Sequence, residues 1–226
     1  MFAVGRTRAV AGGGRAVEVE PERVAGWFDR FGERHGGVSR TVLGQDEVRV
    51  EAADGATATI AVPFAPLAGE PGEQVGLFVQ PFIEHLVRER TVGLVLARVG
   101  GHSVGMARGG KVIASRTDRR HVQGRSAAGG WSQQRFARRR AGQARQALEA
   151  AADDVAEVLL PRVRELDAVV LGGDRRALDT VLADRRLAPI AKLAEPRVLD
   201  VAEPRRTVLD EAAHRAFCVE IVIREP

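Results

Sequence analysis

Several residue types that often mark a catalytic or structural site are scarce in this sequence. It contains one cysteine, Cys218, so no internal disulfide can form. The apolar neighbours of Cys218 predict that it lies in the core. The five histidines show no ligand spacing, and the cysteine has no partner, so we expect no metal site. Nucleophile motifs such as Gly-x-Ser-x-Gly are missing, and no feature calls for a cofactor.

Long apolar runs are also missing. No stretch approaches the ~20 residues that span a bilayer, and residues 1–8 lack the apolar segment of a signal peptide. We therefore expect a monomer of the cytoplasm with no membrane partner. The chain of 226 residues, with 45% hydrophobic residues, is long enough for a real core and for one or two domains.

Lysine is nearly absent, and the positive charge that arginine supplies is concentrated in one place. Residues 116–145 hold nine arginines and a single acid, Asp118, whereas the whole chain carries a net charge of +4. The rest of the chain is therefore net acidic. Arginine suits bidentate contacts with phosphate, so this segment predicts contact with a phosphate-rich partner. The alternative is a disordered, merely basic surface loop.

Residues 1–90 show the pattern of a small α+β region. Pro21 begins a predicted helix, and Asp54-Gly55 joins two predicted strands. The helix has one apolar face, formed by Val24, Trp27, Phe28 and Phe31. We expect Trp27 to lie in the core rather than to act as a stacking platform, and the region to be a docking module. Residues 63–73, rich in Pro and Gly, are predicted to be a linker.

Residues 91–226 are predicted to form an α/β domain with a mixed β-sheet and flanking helices. Three strands on two Gly-rich turns begin it, and a long helix over residues 134–160 follows the arginine-rich segment. Asp174 is a predicted helix N-cap. A strand at residues 217–223 is expected to complete the domain.

The segment Gly124–Arg140 combines a Gly-rich loop with a helix start that breaks local rules. Arg135 and Arg138 oppose the helix dipole, and Gly142 costs about 1 kcal/mol relative to alanine. Such conflicts in one place indicate function. The loop tip carries Gln133 and Gln134. A glutamine cannot serve as a general base, but it donates and accepts hydrogen bonds and so suits the orientation of a water molecule.

The residues Gly129-Gly-Trp-Ser-Gln-Gln-Arg-Phe-Ala-Arg-Arg-Arg140 resemble the Gly-Gly-Gln segment of eukaryotic and archaeal class-one release factors. Aligned on Arg135-Phe136, the glutamine of that motif falls on Trp131. The Vms-like release factors of actinobacteria carry Gly-Gly-Ser-Gln, which Ser132-Gln133 matches if Trp131 is an insertion. The chain looks most like that family. The resemblance covers residues 91–226, and no codon-reading domain is recognisable.

This resemblance implies a codon-independent peptidyl-tRNA hydrolase that acts on peptidyl-tRNA at the large ribosomal subunit, and not on DNA. It implies a catalytic role for Gln133, with Gln134 as a competitor. Trp131 either stacks on a base or anchors the loop. The residues expected to contact RNA are Arg125, Gly129, Gly130, Trp131, Ser132, Arg135, Arg138, Arg139, Arg140 and Arg145. Two alternatives stay open: a non-enzymatic ribosome-binding or RNA-binding factor, and a nuclease acting on the tRNA acceptor end.

Overall fold

The computed structural model describes residues 7–98, 100–119 and 132–226, with the backbone alone described for residues 119 and 132–141. These ranges contain strands β1 (Thr7–Ala9), β2 (Arg15–Val19), β3 (Val38–Leu43), β4 (Glu47–Ala52), β5 (Thr57–Ala61), β6 (Gly72–Val75), β7 (Thr91–Arg98), β8 (Gly101–Arg108), β9 (Lys111–Arg119), β10 (Ala168–Gly173), β11 (Ala194–Leu199) and β12 (Val219–Arg224). They also contain helices α1 (Val24–Arg34), α2 (Gln80–Leu86), α3 (Ser132–Leu159), α4 (Arg175–Leu182), α5 (Ala188–Ala191) and α6 (Arg206–Arg215).

The chain divides into two compact units. The first contains Met1–Glu89 and Phe217–Pro226, and the second contains Arg90–Ala216. The first unit is an antiparallel sheet with the strand order β1-β2-β12-β5-β4-β3-β6. Alternate residues of its strands are buried against aromatic side chains of α1 and α2, such as Phe28 and Phe82. The predicted hairpin around Asp54-Gly55 is confirmed as β4 and β5.

The last strand differs from its expected placement. β12 lies between β2 and β5 in the first unit and does not join the sheet that begins at residue 91. Val219, Ile221 and Ile223 are buried in the first core, which explains this placement. Cys218 is buried, as predicted.

The predicted linker at residues 63–73 is wrong. The segment belongs to the first unit, where Leu67 is buried in the core and β6 pairs with β3. Proline and glycine mark irregular backbone here rather than a boundary between domains.

The second unit is the predicted mixed sheet with flanking helices. Its strand order is β11-β10-β7-β8-β9, with parallel pairing among β11, β10 and β7 and an antiparallel meander through β7, β8 and β9. Two glycines let helices approach opposite faces closely. A Cβ at Gly93 would lie 3.2 Å from Leu159 of α3, and one at Gly105 would lie 3.0 Å from Leu209 of α6. Asp174 caps α4 by accepting a hydrogen bond from the Ala177 backbone N–H.

Candidate active site

Helix α3 begins at Ser132, two residues earlier than predicted. Gln133 and Gln134 therefore lie in the first helical turn instead of at a loop tip. The backbone N–H groups of a first turn have no partner within the helix and form the positive end of its dipole. The two glutamines thus accompany N–H donors that an incoming negative charge can use.

The structure describes the backbone alone at Gln133 and Gln134, and it places the other predicted site residues to different extents. Arg125, Gly129, Gly130 and Trp131 lie outside the described residues. Ser132, Arg135, Arg138, Arg139 and Arg140 lie on α3, in the part described by backbone alone.

Helical spacing sorts the arginine positions of α3 into two faces. At 3.6 residues per turn, positions 135, 138, 139 and 145 share the face opposite the buried residues Ala151 and Val155. Position 140 falls outside that group. The backbone therefore supports the predicted face for four of these arginines, whereas Arg140 does not share it.

Arg145 is the one member of this face whose side chain is described, and it is 78% exposed. Its partner is Glu149, one helical turn later, at 3.5 Å between Nε and the carboxylate. Exposed pairs of this kind contribute little, about 0.3–0.5 kcal/mol. Arg145 is therefore free to exchange this partner for a phosphate at small cost.

The second half of α3 is fixed to the sheet by a charged network. The Asp154 carboxylate accepts a hydrogen bond from His102 Nε2 of β8 at 2.7 Å, and its other oxygen accepts from Arg116 Nε of β9 at 3.0 Å. Arg116 also pairs with Glu157. His102 and Asp154 are 3% and 7% exposed. A buried carboxylate that is shared by two donors in this way holds one geometry.

Arg116 is thus separated from the other arginines of the 116–145 segment. Its guanidinium pairs with two acids of α3, so it supports the helix and does not offer an open charge to a partner. The sequence signal was the pair of acids on α3, but nothing in the sequence placed them opposite β9.

A second contact with α3 comes from the turn at residues 185–187, which lies outside the sheet. Arg186 donates to Asp153 of α3 at 2.7 Å and to Asp184 at 2.6 Å. The Arg186 guanidinium and the Arg186 backbone N–H together hold the pKa of Asp184 below its ordinary value. Because Arg186 and Asp153 are both exposed, this second contact contributes little to stability beside the Asp154 network.

Residues 142–146 precede the first side chain described as buried on α3, that of Ala147. A Cβ at Gly142 would meet no atom within 4 Å. From Ser132 to Gln146 the helix is about 22 Å long, at 1.5 Å per residue. The glutamines are therefore carried at the far end of a helix whose anchored part begins some four turns away.

The described residues contain no group of three or more metal-ligand side chains placed to hold an ion. They also contain no helix long and apolar enough to cross a membrane.

No curated protein matches the sequence. Among solved structures, an archaeal translation termination factor, aRF1, is similar over 88% of this chain and 73% of its own, at 10% identity and a TM-score of 0.44. Dom34 of S. cerevisiae, a translation termination-like factor, is similar over 92% and 66%, at 9% identity and a TM-score of 0.34. Archaeoglobus fulgidus Pelota is similar over 95% and 66%, at 15% identity and a TM-score of 0.29.

A family model gives the decisive match. The model of the Actinobacteria/chloroflexi VLRF1 release factor matches residues 90–222. This range covers more than half of the chain, including β7, β8, β9, the whole of α3 and the elements that hold it. The chain therefore belongs to the Actinobacteria/chloroflexi VLRF1 release factor family.

Proposed function

We propose that this protein is a codon-independent peptidyl-tRNA hydrolase that releases nascent chains from stalled ribosomes or large subunits. The observation that carries the proposal is the position of Gln133 and Gln134, in the first turn of α3 within the matched release-factor region. The partners are ribosomal RNA of the large subunit and peptidyl-tRNA, and the work takes place in the cytoplasm, with the protein acting as a monomer.

In this mechanism Gln133 orients a water molecule against the ester that joins the nascent peptide to tRNA. The water oxygen attacks the ester carbonyl carbon, the bond to the terminal ribose oxygen breaks, and that oxygen leaves with a proton. A backbone N–H of the first turn of α3 stabilises the oxyanion that develops on the carbonyl. Ribosomal RNA and the tRNA ribose supply the remaining polar groups, so the protein contributes mainly positioning.

The arginines hold the helix in place on RNA. Positions 135, 138, 139 and 145 share one face of α3, and contacts from this face to phosphates fix register without reading sequence. In this proposal Arg140 contacts RNA from another face, and Arg125 and the Gly129-Gly130 pair contact RNA from the segment before the helix. Trp131 stacks on a base or anchors the loop.

The hydrolase assignment is tested with purified stalled ribosome–nascent-chain complexes, in which peptidyl-tRNA is followed on a gel. We expect the wild-type protein to cleave the ester and Gln133→Ala to lower the rate by about 10²–10³-fold, as for loss of a transition-state hydrogen bond. Gln146→Ala is the matched control, because Gln146 is an exposed glutamine of the same helix. If Gln134→Ala loses activity and Gln133→Ala does not, the catalytic role belongs to Gln134.

The same assay separates the two other functions. A protein that sediments with ribosomes but leaves the ester intact is a non-enzymatic binding factor. Shortened tRNA, in place of full-length tRNA with a free 3′ end, identifies a nuclease acting on the acceptor end.

A further inference from the structure

A basic cavity lies in the first unit, beside α1 and the end of the sheet formed by β1, β2 and β12. Its volume is about 240 Å³. The basic residues that line it are Arg15, Arg30, Arg34 and His35, and none of the described residues along its wall is acidic.

Aromatic rings form one wall of the cavity. The residues Trp27, Arg30, Phe31 and Arg34 recur at the spacing of one helix face, and all four line the cavity. The rings of Trp27 and Phe31 are stacked, with centroids 5.5 Å apart and planes 11° apart. Phe28 contacts the indole edge-on, at 5.2 Å. The indole is thus held in one orientation. It packs against the first core, as expected from the sequence, but it is only partly buried and borders the cavity.

Two arginines of this cavity carry uncompensated charge. Within the part of the chain that the structure describes, Arg30 and Arg34 form no ion pair, and both are exposed. Arg15 has only a long contact of 3.6 Å with Glu225. By contrast, Arg23 and Arg40 of the same unit have carboxylate partners at 2.9 Å.

His35 does not add an open charge of its own. Its Nδ1 atom lies 2.8 Å from the Asp54 carboxylate, and its ring packs against Phe31 at 4.7 Å between centroids. It therefore closes the cavity at the end of α1, and the open positive charge comes from the arginines.

We propose that this cavity binds one nucleotide of single-stranded RNA. The base stacks on the indole of Trp27, and the adjoining phosphate is held by Arg30 and Arg34. An aromatic platform beside arginines is the combination that holds single-stranded nucleic acid, and each side chain is already in place. The cavity is smaller than the ~300 Å³ at which pockets for drug-sized ligands begin, which suits a single base. The site is separate from α3 and does not depend on ester hydrolysis.

The fluorescence of Trp27 tests the proposal directly. The chain has two tryptophans, so Trp131→Phe leaves Trp27 as the sole reporter in the full-length protein. We expect hexauridine RNA to quench this fluorescence at low salt with saturable binding. In the same background, Arg30→Gln with Arg34→Gln is expected to weaken the binding at least 10-fold. The salt dependence, as log affinity against log salt concentration, should become less steep by about 0.7 for the loss of the one phosphate contact.

The matched control removes two other arginines of the first unit, Arg23→Gln with Arg49→Gln, so that the net charge falls equally. It is expected to change the affinity less than 2-fold. Thermal unfolding of each variant verifies that the fold is retained. No quenching by hexauridine, or equal weakening in the control pair, overturns the proposal. Neither result bears on peptidyl-tRNA cleavage, which is measured separately.

The natural RNA is identified with a photo-crosslinking amino acid at position 7, because Thr7 lines the cavity and is exposed. Crosslinking is performed on ribosome–peptidyl-tRNA complexes that sediment with the protein. Crosslinks to ribosomal RNA or to tRNA support the proposal and name the source. Crosslinks confined to ribosomal protein overturn it.

Discussion

The two halves of α3 differ in composition and in how many of their described side chains are buried or paired. From Ala147 to Leu159 the helix has buried alanines, Val155 and Leu159 against the sheet, and acids paired to Arg116 and Arg186. From Ser132 to Gln146 the sequence is dominated by arginine and glutamine, with a glycine at position 142. The proposed chemistry lies in the half from Ser132 to Gln146, whereas the half from Ala147 to Leu159 makes the contacts that stabilise the fold. Substitutions in the two halves should therefore separate activity from folding.

The largest expected effect on stability is in the anchored half. Leu159→Ala should lower the free energy of unfolding by about 2–5 kcal/mol, because it removes a fully buried side chain that packs on Gly93. Gln143→Ala in the other half should change it by less than ~0.5 kcal/mol. Urea denaturation of both variants measures the difference. Similar losses in the two variants would contradict the division of α3.

The charged network should have the next largest effect. Asp154→Asn removes the carboxylate that Arg116 and His102 share and should cost about 1–3 kcal/mol. The pair with Arg116 contributes the smaller part, since that arginine is half-exposed and screened by solvent. Asp153→Asn, which alters an exposed pair, is the control and should cost less than ~1 kcal/mol. An Asp154 variant as stable as this control would mean that the network does not fix the helix.

A smaller effect, an increase in the free energy of unfolding, is expected at Gly142. Gly142→Ala should stabilise the protein by about 0.5–1 kcal/mol, because alanine has the higher helix propensity and a Cβ there meets no atom within 4 Å. Gly93→Ala is the contrasting control, since its Cβ would stand 3.1–3.3 Å from Val169, Leu159 and Leu166. It should destabilise. Differential scanning calorimetry measures whether each substitution raises or lowers Tm.

The smallest effect concerns pH. The folded pKa of Asp184 lies below its unfolded value because of Arg186, so the carboxylate contributes stability above about pH 4. That contribution is lost as the pH falls through the folded pKa. The difference in Tm between the wild type and Asp184→Asn should therefore be largest at pH 6–7 and shrink as the pH falls below about 4. A difference independent of pH would assign the role to the hydrogen-bond cap rather than to the charge.

The sequence predicted what local patterns determine. Asp54-Gly55 marked a hairpin, the Gly-rich turns marked the meander, and Asp174 marked a helix cap, each because a few adjacent residues set the backbone. The role of Arg116 could not be predicted, since its acids lie about 40 residues away on another element. For Trp27, the apolar stripe indicated the face of α1 but not that one edge of this face borders a cavity.

No local sequence pattern predicted the place of β12. That place determines the order in which the two units can be completed during synthesis. β12 lies in the interior of the first sheet, between β2 and β5, yet its residues are translated after the whole of the second unit. While residues 90–216 emerge and fold, β2 and β5 lack their shared neighbour and leave strand edges open. A chain whose translation stops before residue 219 therefore cannot finish its first unit, although its second unit has all of its strands.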